Sequence, residues 1–232
     1  MDDSSDPLAR LEAEQREPAG ARAGFQRQLD DSTAVLVEIA EQVASAIVPI
    51  TRAFLEADGH RADEWVATNE AVARRCRRLE DACYVILARQ SPVGGDLRRI
   101  VGVLRSTADV QRSGHLLRHV AASLHWVHPP ALGGGVRDLV EQLGGRTADV
   151  FAAGVHAWRT YDPLTANVLD DDDDQVDLLQ KHLLTELYTG EQSIEDAVSL
   201  ALIARYYERI ADHGVEMARQ VAYFVTGERT GG

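Results

Sequence analysis

The stretch that decides the fold is Ser193–Asp212, SIEDAVSLALIARYYERIAD, and the earlier stretch Asp96–His115, DLRRIVGVLRSTADVQRSGH, shares its pattern. In both, apolar residues recur every three or four positions, which is the period of one face of an α-helix. An end-to-end alignment superimposes the two apolar stripes: it pairs Val103 with Leu200, Val110 with Tyr207, Ser113 with Ile210, Leu117 with Gly214 and Val120 with Met217. A helix that occurs twice in this way indicates a tandem repeat.

Two further helical patterns precede each copy. The first has a heptad seam that ends before Gly59, and Pro49 is expected to kink it. Its apolar positions alternate in steps of four and three: Leu29, Thr33, Leu36, Ala40, Val43, Ile47, Ile50 and Phe54. The second helix is predicted over about 63–89, with Asp63 as its N-cap.

The same order of patterns returns after a linker. The third helix is predicted over 96–126, and the linker over 128–135 contains two prolines and three consecutive glycines. A fourth helix then covers about 136–161. Asp162-Pro163 begins a fifth helix that runs to about residue 188, and a sixth runs to about residue 225.

The predicted fold is therefore all-α, with six long antiparallel helices in two tandem three-helix bundles. The first repeat covers residues 24–127 and the second covers residues 136–228. A mobile N-terminal tail, residues 1–23, precedes them. No segment has the turn-bounded pattern of a β-strand.

Charge and hydropathy limit the classes of function. The chain has 232 residues and a formal net charge of -13, which disfavours binding to nucleic acid and favours cations or a basic partner. We expect no apolar run near the roughly 20 residues that span a membrane. The acidic N-terminus does not resemble a signal peptide. A cytoplasmic location is expected.

Two pairs of carboxylates occur at helical spacing in the second repeat. Glu208 and Asp212 are four residues apart, as are Asp173 and Asp177, so each pair shares one helix face. If the fifth and sixth helices are antiparallel neighbours, the four side chains can converge. Oxygen ligands of this kind suit hard cations such as Mg²⁺, Mn²⁺ or iron. The alternative is a solvated acidic face, with Glu208 paired to Arg205 or Arg209.

Several motifs resemble those of the PhoU family. In the second repeat, 205–213 reads RYYERIADH, which resembles the ERxxDH core that closes each repeat of that family. In the first, Gln90-Ser91-Pro92 followed by 96–100, DLRRI, is similar to the family's QPxxxDLR segment. The resemblance covers roughly residues 25–228.

The resemblance implies a six-helix, two-bundle fold that is usually a homodimer. It also implies a non-enzymatic regulator of phosphate uptake and phosphate-starvation signalling. Its expected partners are the ATPase subunit of a phosphate ABC transporter and a phosphate-sensing histidine kinase, so it would reach the membrane only through them. The family's ExxxD motif corresponds to Glu208 and Asp212 and its DxxxD motif to Asp173 and Asp177, residues that bind metal in the family.

The first repeat departs from this pattern. Gln111 and His115 stand where the family has its first ExxxD pair, and Asn69 and Ala73 align with the DxxxD pair. We therefore expect one cation site at most, in the second repeat. His115 and His119 have a spacing that can hold a transition metal, but no third ligand is evident.

Two other functions of helical bundles have sequence requirements of their own. A metal-dependent oxidase is the alternative to a regulator, but a ferritin-like site needs Glu-x-x-His pairs, and residues 208–211 and 177–180 do not form them. A histidine phosphotransfer domain needs an exposed histidine, for which His182 and His213 are equal candidates. We predict no catalytic residues.

Overall fold

The computed structural model describes residues 7–190 and 192–228, and this part of the chain consists of helices joined by short turns and loops, with no strand. Two short 3₁₀ turns, Ser123–His125 and Pro129–Ala131, lie between the third and fourth α-helices. The six helices are α1 (Pro7–Glu56), α2 (Gly59–Gln90), α3 (Gly94–Ala122), α4 (Gly134–Thr160), α5 (Thr165–Thr189) and α6 (Ile194–Thr226). The predicted all-α class is confirmed.

Local chemistry explains where several helices begin and end. Ser193 caps α6 by accepting a hydrogen bond of 3.0 Å from the backbone N–H of Asp196. Gly227 ends α6 in the left-handed conformation, with φ of 81°, which glycine adopts without a steric cost. The predicted N-cap of α2 is wrong, because Asp58 caps that helix and Asp63 lies inside it.

The first helix is longer than its sequence pattern indicated. It begins at Pro7, within the segment predicted to be a tail, and it continues through Pro49 to Glu56, close to the end predicted at Gly59. The predicted boundary at residue 23 is therefore not the start of the helix. Residues 1–6 of the predicted tail lie outside the described residues.

The two repeats pack against each other in an antiparallel manner. On α3, the guanidinium of Arg98 lies 5.9 Å from the ring centroid of Tyr223, and His119, further along α3, meets the ring of Tyr206 at 5.5 Å. Later residues of α3 therefore contact earlier residues of α6, so the two helices are antiparallel. α1 and α4 also pack together. One contiguous apolar core consequently passes through both three-helix units.

The residues that the repeat alignment paired all lie in this core. Each has negligible exposure, including the polar Ser113 and the small Gly214. Because equivalent positions of α3 and α6 are buried at one shared interface, the duplication seen in the sequence is also a pseudo-symmetry of the packing.

One stretch of α1 contradicts the expectation about membrane-spanning segments. Arg22–Glu56 is long and apolar enough to cross a membrane by length and composition, because it contains an 18-residue window with a mean hydropathy of 1.5. Its large apolar side chains, including Leu36, Ile47 and Phe54, are fully buried in the bundle core. The core of the bundle accounts for the apolar character of this helix.

Candidate functional site

The α5–α6 pair carries the four predicted carboxylates on facing flanks. At about 100° per residue, Asp173 and Asp177 fall on the same flank of α5 as Asp170. That flank faces α6, because Nη2 of Arg219 donates a hydrogen bond of 2.9 Å to Oδ1 of Asp170. Glu208 and Asp212 occupy the corresponding flank of α6.

Burial and mutual repulsion raise the pKa values of three of these carboxyl groups. Burial raises the pKa of Asp173 to about 6, and the charges of Asp212 and Asp177 add to the shift. Burial also raises the pKa of Glu208, with a further contribution from the charge of Asp212. Asp212 remains accessible to solvent, but neighbouring groups partly desolvate its carboxyl and raise its pKa, and the charge of Asp177 adds to the shift against the opposing charge of Arg205. The four carboxylates therefore lie within electrostatic range of one another.

Two of the carboxylates already have basic partners. Glu208 is only 8% exposed, and its Oε1 accepts a hydrogen bond from Nη1 of Arg205. This is one of the two ion pairs that the sequence left open for Glu208. Asp177 lies 3.6 Å from Nζ of Lys181. Oε2 of Glu208 is buried and has no hydrogen-bond partner among the described residues, which is costly unless another group approaches it.

The donor chemistry suits a hard cation, but the side chains do not form a ready cage. Within residues 22–190 and 192–228, no three or more His, Cys, Asp or Glu side chains are grouped as a metal ion would require. Asp212 is exposed and Asp177 is partly exposed, so both have room to rotate. The unpartnered Oε2 of Glu208 is the atom that most favours an additional positively charged group.

The equivalent place in the first repeat holds a different pair. Asn69 and His115, which align with Asp173 and Asp212, are in contact: Nδ2 of Asn69 lies 3.3 Å from Nδ1 of His115. The two equivalent positions therefore lie close together in both repeats. In the first repeat the contact between α2 and α3 is made by an amide and an imidazole, where the second repeat has two carboxylates. His119 packs on the ring of Tyr206. In the described part of the chain, His115 and His119 gain no third metal ligand.

Comparison with known proteins places this arrangement in a family. The model of the PhoU domain family matches residues 36–124 and 140–221. The chain belongs to the PhoU family. It is 34% identical over 209 residues to the "Phosphate-specific transport system accessory protein PhoU homolog 2" of Mycobacterium tuberculosis, covering 89% of this chain and 98% of that protein. It is 33% identical to PhoU homolog 1 of Mycobacterium leprae, covering 89% of this chain and 94% of that protein.

Solved PhoU structures show the same fold. The regulatory protein PhoU from Streptococcus pneumoniae superimposes with a TM-score of 0.81 at 20% identity, covering 89% of this chain and 99% of that one. PhoU from Pseudomonas aeruginosa gives 0.82 at 24% identity, covering 88% and 100%. The resemblance drawn from the sequence motifs is confirmed. The two stretches matched by the PhoU domain fall inside the predicted repeats.

Sequence reasoning missed the polar contacts that join the two PhoU repeats. Nδ1 of the buried His213 lies 2.9 Å from Oγ of Ser113, across the α3–α6 interface. The hydroxyl groups of Thr51 and Tyr207 share a hydrogen bond of 2.7 Å. The one sequence signal for such a contact was Ser113, a polar residue on the apolar stripe of α3. Because His213 is only 7% exposed, it does not offer the exposed imidazole of a phosphotransfer domain.

Proposed function

We propose that this chain regulates phosphate uptake and phosphate-starvation signalling by binding partner proteins and not by catalysing a reaction. The observation that carries the proposal is the match to the PhoU domain in both repeats. The mycobacterial relatives, which this chain covers almost end to end, are named as accessory proteins of phosphate-specific transport.

The proposed partners are the ATPase subunit of a phosphate ABC transporter and a phosphate-sensing histidine kinase. When phosphate is plentiful, the bound chain would restrain uptake and keep the starvation response off. It would act in the cytoplasm as a homodimer and meet the membrane through these partners. The continuous core supports such a role, because a rigid bundle presents fixed surfaces on the outer faces of its helices.

The proposal is tested by direct binding with purified components. We expect the full chain to bind the phosphate-transporter ATPase and the cytoplasmic part of the kinase from the same organism, measured by biolayer interferometry. The ATPase of an unrelated ABC transporter serves as the control and should not bind. Absence of binding to both partners, with the chain folded by circular dichroism, would overturn the proposed function.

We further propose that the four carboxylates of α5 and α6 bind one hard cation, Mg²⁺, Mn²⁺ or iron. The donor set and the unpartnered Oε2 of Glu208 support this. Replacing Glu208 and Asp212 together by alanine should remove most of the bound metal and leave the helical content intact. The measurements are elemental analysis after dialysis against each metal and far-UV circular dichroism.

The matched control for this experiment is in the first repeat. Gln111 and His115 occupy the positions equivalent to Glu208 and Asp212, so the Gln111→Ala/His115→Ala protein should keep the metal content of the wild type. If the metal content of the Glu208→Ala/Asp212→Ala protein is unchanged, the site assignment is wrong. Turnover with iron and oxygen would instead support the oxidase alternative, which no observation here favours.

A further inference from the structure

Four large apolar side chains are exposed on the outer surface of the α5–α6 hairpin, near its tip. Leu184 and Tyr188 of α5 are 41% and 91% exposed, and Ile194 and Val198 of α6 are 84% and 55% exposed. In each helix the two residues are four apart and so share a face. A cluster of this kind on a helix pair is typical of a binding surface. We call these four residues the apolar end.

The apolar end continues into the carboxylate cluster. At about 100° per residue, Leu184 and Tyr188 lie on the same flank of α5 as Asp173. Ile194 lies on the same flank of α6 as Asp212. Asp173, Asp177 and Asp212 therefore extend the same surface away from the hairpin tip, and we call these three residues, together with the buried Glu208, the acidic end.

The acidic end contains two carboxylates that form no direct ion pair within the described part of the chain. Arg205 pairs with Glu208 and Lys181 pairs with Asp177, but Asp173 and Asp212 have no ion-pair partner among the described residues. The wider surroundings are also acidic. Residues 128–228 contain eighteen acidic and seven basic residues, whereas residues 24–127 contain thirteen of each.

We propose that this surface docks a basic amphipathic helix from a partner protein. Apolar side chains at one end of that helix would cover Tyr188 and Ile194, and its Lys or Arg side chains would pair with Asp173 and Asp212. The surface runs from residue 188 to residue 173 along α5, which at 1.5 Å per residue is about 22 Å, or about 15 residues of helix. The proposal rests on the proposed function only in assuming that the chain acts through protein partners.

The first repeat lacks the same combination of features. Tyr84 and Leu97 correspond to Tyr188 and Ile194 and are also exposed, at 62% and 40%. However, Glu80 stands in the place of Leu184, and the equivalent of the acidic end is the Asn69–His115 contact and its neighbours. Only the second repeat therefore joins an uninterrupted apolar end to a carboxylate end.

A labelled synthetic helix tests the proposal on the full-length chain. The probe is an 18-residue peptide with leucines on one face and lysines and arginines on the other, and the readout is fluorescence anisotropy in EDTA. EDTA removes any dependence on the cation proposal. We expect Tyr188→Ser/Ile194→Ser to weaken binding about tenfold or more, as when a central apolar contact is lost. Asp173→Asn/Asp212→Asn should weaken binding and flatten its dependence on salt.

The controls are matched to these variants. Val168→Ser changes a side chain of α5 that is 65% exposed but lies on the opposite flank, and Asp171→Asn removes an exposed charge from that flank. Both should bind like the wild type, and a peptide with glutamate in place of its basic residues should not bind. All the substituted side chains except Asp173 are largely exposed, so folding should survive.

Three outcomes would overturn the proposal. The first is that Tyr188→Ser/Ile194→Ser binds the basic peptide as tightly as the wild type does. The second is that the acidic peptide binds the wild type as tightly as the basic peptide does. The third is that Tyr188→Ser/Ile194→Ser loses only self-association, measured by analytical ultracentrifugation. The last would show that the surface belongs to a second copy of the chain. If the wild type binds the transporter ATPase or the kinase but not the peptide, the docking proposal fails and the proposed function stands. If the wild type binds the peptide but neither partner, the docking proposal stands and the proposed function fails.

Discussion

Replacing Gly154 by valine should lower the free energy of unfolding by about 3 kcal/mol or more. Gly154 lies where α4 crosses α6 at Gly214. A Cβ atom at position 154 would lie against the carbonyl oxygen of Gly214 and 2.8 Å from its carbonyl carbon, closer than real Cβ contacts allow. The obstacle is helix backbone and not a flexible side chain. The two helices would therefore have to separate and open the core of the second repeat.

The measurement is urea unfolding followed by circular dichroism. Gly145→Ala is the matched control, because Gly145 lies on the same helix and an added Cβ there would meet no described atom within 4 Å beyond its own stretch of helix. That change should be neutral or stabilise by up to about 1 kcal/mol, through the higher helix propensity of alanine. A Gly154→Val protein as stable as the wild type would mean that α4 and α6 do not approach this closely.

Acidification should destabilise the protein through His213, by about 3 kcal/mol between pH 6.5 and pH 4. Burial lowers the pKa of His213 to about 4, and the charges of Arg209 and Arg112 contribute. A histidine with a lowered pKa in the folded state stays neutral there while it takes up a proton in the unfolded chain. Its contribution to stability is therefore present above the unfolded pKa of 6.5 and lost as the pH falls towards 4.

The test compares the wild type with His213→Gln, since glutamine can still hydrogen-bond to Ser113 but does not titrate. Urea unfolding at a series of pH values gives the stability difference between the two proteins. We expect that difference to move in favour of the variant as the pH falls from 6.5 to 4. Subtracting one stability curve from the other removes the contributions that the two proteins share. One of these comes from Asp109, whose pKa is raised to about 6 mainly by burial, so that it stabilises the folded state as the pH falls. A difference that is constant with pH would show that His213 is not buried as a neutral group.

The sequence was enough to predict the residue types of the site and the helix faces that carry them, but not the contacts that surround them. The spacing of Glu208 and Asp212 sufficed to place both on one helix face, because helical periodicity depends only on neighbouring residues. The spacing could not show that Arg205 pairs with Glu208 while Oε2 of Glu208 stays unpartnered. Nor could it show that the flank of α5 with Leu184 and the flank of α6 with Ile194 form one surface, which depends on how α5 and α6 are rotated against each other.

The sequence by itself determined the all-α class, the order of the helices, the duplication and the chemical difference between the repeats at Asn69 and Asp173. These follow from periodicity, turn residues and residue types, which are local properties of the chain. Only the tertiary structure decided that the repeats share one core, that Gly154 meets Gly214, and that His213 is buried against Ser113. Such contacts join residues far apart in the chain. They depend on how the side-chain volumes of several helices fit together, which no single segment contains.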